Sequence, residues 1–558
     1  MGEKYNGLNQ KGKAVINNVV EKFCFQGDKT YNSAPFFWTD SGFGLYVDTY
    51  KETTFVFGED TIEVHCEKET ELVLFSGSPK EIVSEYMGLF GKAVLPPDWS
   101  FGVWISANRW NSEKETLEQI EKLQKYDFPA SVLVLEAWSD ESTFYIWNGA
   151  KYTPKEKDEV LTLSDFDFSD GPWPDPAGMI KKLHDNGLKL ILWQVPVYKK
   201  HNGGEKGTVQ NANDEKYAIE HGYCVKMVDG TPYRIPEGHW FDGSLIPDFT
   251  NPAAKKSWFN KRKYLLDMGV DGFKTDGGEF VYEDDVIFAD GSTGKEGKNR
   301  YAKDYTNAYK EFVGVDRNIF SRAGFSGQHL VPIYWAGDQQ SQNEELSSVL
   351  SAGLSAAATG IPFWGFDIAG FAGPLPTLDL YRRATQLACF CPVMQWHSEP
   401  DGGQFKELMP GADGNNERSP WNMAESYNAP EFLDEMRYWH KLREKLIPYL
   451  IYTAKECVEK DMPMMRPLVY VYPLDEKAVR YEDEYLLGED LLVAPLLKEN
   501  ATGRRVYIPQ GTWVNLFTGE KYKGGSEYEI EAGNKIPVFY KEEHSGPIDE
   551  LLKKMSLA

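Results

Sequence analysis

From about residue 96 to 450 the chain keeps one order of elements: a short apolar run, a polar loop, a helical stretch. The apolar runs are "SFGVWIS", "SVLVLEAW", "LKLILWQVP", "DGFKTDGG", "NIFSRAG", "PIYWAGD", "IPFWGFDIAGF" and "PVMQWHS". They are continuously apolar, as strands of a parallel sheet buried on both faces must be. Amphipathic stretches such as "SEKETLEQIEKLQKY" and "RYAKDYTNAYKEFVG" lie between them. Eight such units close into a (β/α)8 TIM barrel, which makes the fold class α/β. No sequence repeat contributes to this reading, which rests on the order of elements alone.

The flanks have a different texture. "FFWTDSGFGLYVDTY" and "TTFVFGEDTIEVHCEKETELVLFSG" alternate apolar and polar residues, and predict a short, partial N-terminal β-sandwich over 1–95. The barrel is expected over 96–460, with a long loop at 139–173. Strand patterns return in "MMRPLVYVYP", "YLLGEDLLVAPLL" and "GRRVYIPQGTWVNLFTG", and predict a C-terminal antiparallel β domain and tail over 461–558.

Charge and cysteine content narrow the functional classes. The formal net charge of −25 argues against nucleic acid and anionic membranes as partners. No apolar run approaches the length of a membrane span, and the first residues, "MGEKYNGLNQKGK", lack the apolar stretch of a signal peptide. Cys24, Cys66, Cys224, Cys389, Cys391 and Cys457 show no zinc-ligand spacing and read as reduced thiols. Together these point to the cytoplasm and to a small-molecule or oligosaccharide partner, with a homo-oligomer left open.

In a barrel of this kind reacting groups sit at the C-terminal strand ends. On this parsing Glu136, Asp276, Arg322, Asp338 and His397 end strands two, four, five, six and eight, and Trp193 and Asp367 lie on strands three and seven. Trp110, Trp138, Trp335, Trp364 and Trp396 stand close by in sequence. Taken alone, Asp276 reads as a salt-bridge partner of Lys274, and Asp338 as a cap for a helix over 341–357. Taken together, two carboxylates on facing strands fit glycoside hydrolysis: one attacks the anomeric carbon, the other protonates the leaving oxygen and then activates water. Lys274 and Arg322 would keep the attacking carboxylate ionised. A metal-assisted barrel enzyme with Glu136, Asp276 and Asp338 as oxygen ligands, and a carbohydrate-binding protein without turnover, are the competing classes. The aromatic stretch "STFYIWNGAKYTP" on the same rim is expected to wall the site through Phe144, Tyr145 or Trp147.

Several of these segments, in order, resemble glycoside hydrolase family 31, the α-glucosidase and α-xylosidase group. "FKTDGGE" is similar to its nucleophile motif, "YWAGD" to its acid/base motif, "FSRAGFSG" to its arginine motif, "WGFDIAGF" to a further motif and "MQWHS" to the strand-eight histidine. The resemblance implies a retaining α-glycosidase, with α-glucosidase first. The alternatives are α-xylosidase, α-galactosidase, a sulfoquinovosidase-like enzyme, N-acetylgalactosaminidase or a transglycosylase. It implies Asp276 as nucleophile and Asp338 as acid/base. Glu136, Arg322, Asp367 and His397 would bind sugar hydroxyls, Trp193, Trp335 and Trp364 would line the site, and Phe273 and Lys274 would stand beside Asp276. It also implies no metal and no organic cofactor. Glu136 stands where relatives carry Asp, and Gly277 replaces a larger side chain, which predicts a wider sugar pocket. The sandwich is shorter than in most relatives, which predicts a compact or truncated version.

Overall fold

The computed structural model describes residues 1–202, 207–399 and 415–556. At its centre eight parallel strands form one sheet. They are numbered here β1 (Val103–Ala107), β2 (Val132–Leu135), β3 (Lys189–Gln194), β4 (Gly272–Thr275), β5 (Asn318–Ser321), β6 (Ile333–Trp335), β7 (Trp364–Gly365) and β8 (Met394–Ser398). The hydrogen-bonded order runs β8, β1, β2 and on to β7. A parallel bridge between Asp367, just past β7, and Gln395 of β8 brings the two ends together. The residues of β2 and β3 from Val132 to Leu135 and Leu190 to Leu192 have no exposure, as burial on both faces requires.

Register and close approach explain local choices in β4. A Cβ on Gly272 would lie 1.9 Å from the Asn318 carbonyl oxygen of β5, so only glycine lets the two strands meet there. Asp271, one residue earlier, anchors the opposite end of the strand through His184 at 2.6 Å and Lys189 at 3.0 Å.

The helical layer breaks its regular alternation once. Between β5 and β6 stands only a 3-10 turn, Gln328–Leu330. The N-terminal region packs at this place instead: Asn32–Ser33 pairs in parallel with Gly324–Phe325, and Val19 packs with Ala302, Ala323 and Phe325. Two three-stranded antiparallel sheets precede the barrel and share a core of Phe37, Leu45, Val47 and Phe55. After the barrel comes an antiparallel domain built on a six-stranded sheet, with Leu486, Leu492, Trp513 and Phe539 at its core. The tail forms the helix Ile548–Ser556, and the last two residues lie outside those described. Among the described residues no helix is long and apolar enough to cross a membrane.

The loop at 139–173 is ordered by aromatic packing, and its inner rings face the protein. Trp147 has no exposure and stands edge-on to Trp138, with centroids 5.0 Å apart, and 5.1 Å from Trp173. Tyr145 donates to buried Asp214 at 2.7 Å. Phe144 is fully buried against Trp193 and Phe241. The expected wall is therefore an inner buttress. Trp147→Ala is expected to cost about 3–5 kcal/mol of stability and to leave KM unchanged, read by urea denaturation beside kinetics. A raised KM with an unmoved denaturation midpoint would mean that the ring reaches substrate.

Candidate active site

Every polar rim residue expected from the sequence emerges at the C-terminal end of its strand. Glu136, Asp276 and Arg322 are the first residues after β2, β4 and β5, Asp338 and Asp367 follow β6 and β7 closely, and Trp193 and His397 lie within β3 and β8.

Arg322 is the hub. Its guanidinium makes a bidentate pair with Glu279, both contacts 3.0 Å, and its Nη1 lies 3.1 Å from Asp276 Oδ1 and 3.8 Å from Asp338 Oδ2. Glu279 is fully buried, so this pair neutralises a charge that would be expensive alone. Asp276 is fixed further: Oδ1 accepts from the Gly277 amide at 2.8 Å and Oδ2 from the Trp193 indole at 2.9 Å. Donors thus reach both of its oxygens, and a guanidinium stands beside them. Asp338 has the opposite surroundings. Burial, together with the nearby Asp276 and Asp367, outweighs Arg322 and Lys274 and raises its pKa to about 8.

Lys274 pairs with Glu136, at 2.5 Å, and its ammonium lies 4.6 Å from the centre of the Trp335 ring. The Lys274–Asp276 salt bridge, the reading of Asp276 taken alone, is not formed; Glu136, just past β2, takes the ammonium. Burial opposes the charge on Lys274, yet Glu136, Asp367 and Asp276 around it hold its pKa above the ordinary value. Three charges crowd the segment "KTDGGE" because each has a partner: Lys274 has Glu136, and Asp276 and Glu279 share Arg322. Gly277 has a φ of +71°, and a Cβ there would lie 2.6 Å from the Phe280 ring. Its role is the turn, not the wider pocket expected from its size.

His397 is fully buried and has both nitrogens engaged: Nδ1 with Ser106 Oγ at 2.7 Å and Nε2 with Glu399 at 2.5 Å. Glu399 escaped the sequence reading, although it lies two residues beyond His397 and so shares its side of the strand. Asp367 accepts from Gln395 at 2.5 Å on Oδ1.

The aromatic expectations divide. Trp193 and Trp335 touch the charged groups. Phe273 does not line the site: its ring packs outward on Tyr309 and Phe312 of the helix Gly294–Val313, because strand alternation sends Lys274 inward and its neighbour out. Trp364 also faces outward, its indole donating to Glu3 at 2.8 Å and its ring meeting Gly353 of the helix Asn343–Ala358. Trp396 packs edge-on to Trp110 and Trp421, and Trp138 stands edge-on to Trp147 in the buttress. Trp240 was missed. It is half-buried, 5.1 Å above the Arg322 guanidinium and 6.3 Å from Trp193, on the long excursion after β3.

The N-terminal region reaches the same place. Gln26 donates to the backbone carbonyl of Asp338 at 2.9 Å, and the Tyr31 ring lies 4.5 Å from the Arg322 guanidinium. Asp338 caps no helix; the cap of Asn343–Ala358 is Gln342. Among the described residues one trio, Glu136, His397 and Glu399, brings potential ligand atoms within 4.8 Å of one another. A cation there would have to take His397 Nε2 from Glu399, since Nδ1 is held by Ser106. The oxygen-ligand set of the competing metal reading, Glu136, Asp276 and Asp338, is split between Lys274 and Arg322.

Residues 93–454 match the model of the glycosyl hydrolases family 31 TIM-barrel domain, and residues 461–544 that of the glycosyl hydrolase family 31 C-terminal domain. The chain is 38% identical to an isomaltosyltransferase of Sporosarcina globispora over 97% of its own length and 50% of that protein's. It is 36% identical to a 1,3-alpha-isomaltosidase of Kribbella flavida over 96% of its own length and 75% of that protein's. It thus spans half of the first relative and three quarters of the second. The cycloalternan-degrading enzyme of Trueperella pyogenes, solved with a covalent intermediate, superimposes with a TM-score of 0.92 at 35% identity, covering 98% of this chain and 76% of that one.

Proposed function

The chain belongs to glycosyl hydrolase family 31, and on that ground we propose that it is a retaining α-glycosidase or transglycosylase whose donor carries an isomaltosyl unit. The observation that carries the reading is the pair of acids bracketing one arginine nitrogen, with burial raising the pKa of Asp338 to about 8. In the first step an Asp276 oxygen attacks the anomeric carbon, and the Asp338 proton passes to the departing glycosidic oxygen. The sugar is then held as an ester of Asp276. In the second step the Asp338 carboxylate takes a proton from water or from a sugar hydroxyl, which opens the ester and regenerates both acids. Both oxygens lie within 3.8 Å of the same nitrogen, which fits the retaining spacing of about 5–5.5 Å better than the wider inverting one. Arg322, held by Glu279, and Trp193 steady the nucleophile. Glu136 and Asp367 offer acceptors to sugar hydroxyls.

The choice of isomaltosyl over a single glucosyl donor rests on the two relatives matched over nearly the whole chain. It is tested with p-nitrophenyl α-isomaltoside, α-glucoside and α-xyloside side by side, with products followed by chromatography and by proton NMR of the first anomer formed. The expected result is the highest kcat/KM on the isomaltoside with an α-anomer released first. Equal or better turnover of the α-glucoside would replace the disaccharide reading with an α-glucosidase. A β-anomer formed first would remove the retaining mechanism. Transfer products that grow with added acceptor sugar identify the transglycosylase branch.

A further inference from the structure

Three carboxylates around the sugar site are held in the same way. Glu136 has Oε1 on the Lys274 ammonium, Asp367 has Oδ1 on the Gln395 amide, and Glu399 has Oε1 on His397 Nε2. In each, a protein donor takes one oxygen and leaves the other for something else. The second oxygens of Asp367 and Glu399 are buried and have no hydrogen-bond partner among the described residues. Leaving a buried acceptor unpaired is costly, more so for a charged group. A ligand hydroxyl, which donates a proton and carries no charge, is the group that satisfies such an oxygen without displacing the existing donor.

We infer that Glu399 is a sugar-hydroxyl acceptor of this site, and that His397 is its positioning residue. The inference rests on the carbohydrate reading above. Both imidazole nitrogens are already used, one by Ser106 and one by Glu399. Ser106 faces His397 directly across the β1–β8 pair, so the ring is held from both sides. His397 Nε2 is also 3.7 Å from Glu136 Oε2, and an oxygen of Glu399 lies within 4.8 Å of both groups. Glu136 and Glu399 thereby form adjacent acceptors, the arrangement that suits two neighbouring hydroxyls of one ring. The Glu399 backbone is fixed as well, its amide donating to Asn416 at 3.2 Å.

Glu399→Gln separates this role from a structural one. Its carbonyl oxygen still accepts from His397, and its amide group then presents a donor where the hydroxyl needs an acceptor. The expected loss in kcat/KM on the parent glycoside is about 10- to 100-fold, with an unchanged thermal midpoint. The deciding measurement repeats wild type and variant on 2-, 3-, 4- and 6-deoxy α-glucosides. If Glu399 accepts from one hydroxyl, the ratio of wild type to variant collapses to within about twofold for the sugar lacking it, and stays large for the others. A ratio that remains constant across all four would overturn the assignment and make Glu399 a support of His397 only. A variant with full activity on the parent sugar would overturn it outright, as would a wild-type activity that a chelator abolishes and calcium restores, since the trio would then hold a cation. Isomaltose titrated calorimetrically into Asp276→Ala and Asp276→Ala/Glu399→Gln keeps the test independent of turnover. An inactive wild type sinks the hydrolase reading, whereas weaker isomaltose binding by the double variant still supports Glu399, and equal binding rejects it.

Discussion

Asp276→Ala is expected to lower kcat by a factor on the order of 10^4 or more, while the folded protein still binds isomaltose. The reason lies in what Asp276 does and does not hold up. Its oxygens meet Arg322, Trp193 and the Gly277 amide, but the arginine remains paired with Glu279 when it is gone. Chemistry is lost without a buried charge being stranded, so the protein stays folded. The space left behind lies on the face from which the ester would have formed. Added azide entering it attacks the anomeric carbon from that face, in a single displacement, and the product is a β-glycosyl azide. Recovery of turnover with azide and a β-linked product checks the assignment by NMR. Residual activity above about 1% of wild type, or an azide product of α configuration, would remove Asp276 from the nucleophile role.

Asp338→Asn separates the acid's two duties. With an alcohol leaving group, as in an oligosaccharide, protonation is required and kcat/KM is expected to fall by about 10^2- to 10^4-fold. With p-nitrophenolate, which departs unaided, kcat/KM falls far less. The second step still lacks its base, so the ester accumulates and a burst of nitrophenol precedes slow turnover. The pH profile carries the same information. The proton on Asp338 is present below its raised pKa of about 8 and lost above it, so wild-type kcat/KM on oligosaccharide declines as pH rises through that region. The Asn variant, having no proton to lose, shows no such alkaline limb. A limb that persists in the variant would assign the acid elsewhere.

Most of the barrel was legible because parallel strands buried on both faces leave an unbroken apolar record, and β1 to β8 follow the eight runs. The missing helix after β5 was less visible: "NIFSRAG" and "PIYWAGD" follow each other with no helical stretch, but what fills the gap, Asn32–Ser33, comes from the far N-terminal region, and sequence periodicity is local. Rim carboxylates were legible because position after a strand fixes them. Side-chain direction is also written in the sequence, in the strand period of two. Lys274 and Phe273 are neighbours on one strand and cannot both face inward. Glu399 shares a side with His397 by the same rule. Trp240 had no such signal, since it sits on an excursion without regular periodicity, and its place above Arg322 exists only once the chain is folded. The N-terminal contacts to Asp338 and Arg322 were invisible for the same reason.

Those contacts bear on inheritance and on engineering. A breakpoint just before β1 looks permissive by the usual signs, because texture and composition change there. Yet Gln26 braces the backbone of Asp338, Tyr31 lies over the arginine shared by both acids, and Asn32–Ser33 completes the wall where a helix is absent. A barrel recombined with a foreign leading region would keep every rim carboxylate and lose the brace beneath one of them. The heritable unit of this chemistry is therefore longer than the barrel, and a chimera designed from strand boundaries alone would carry the right residues in a slack frame.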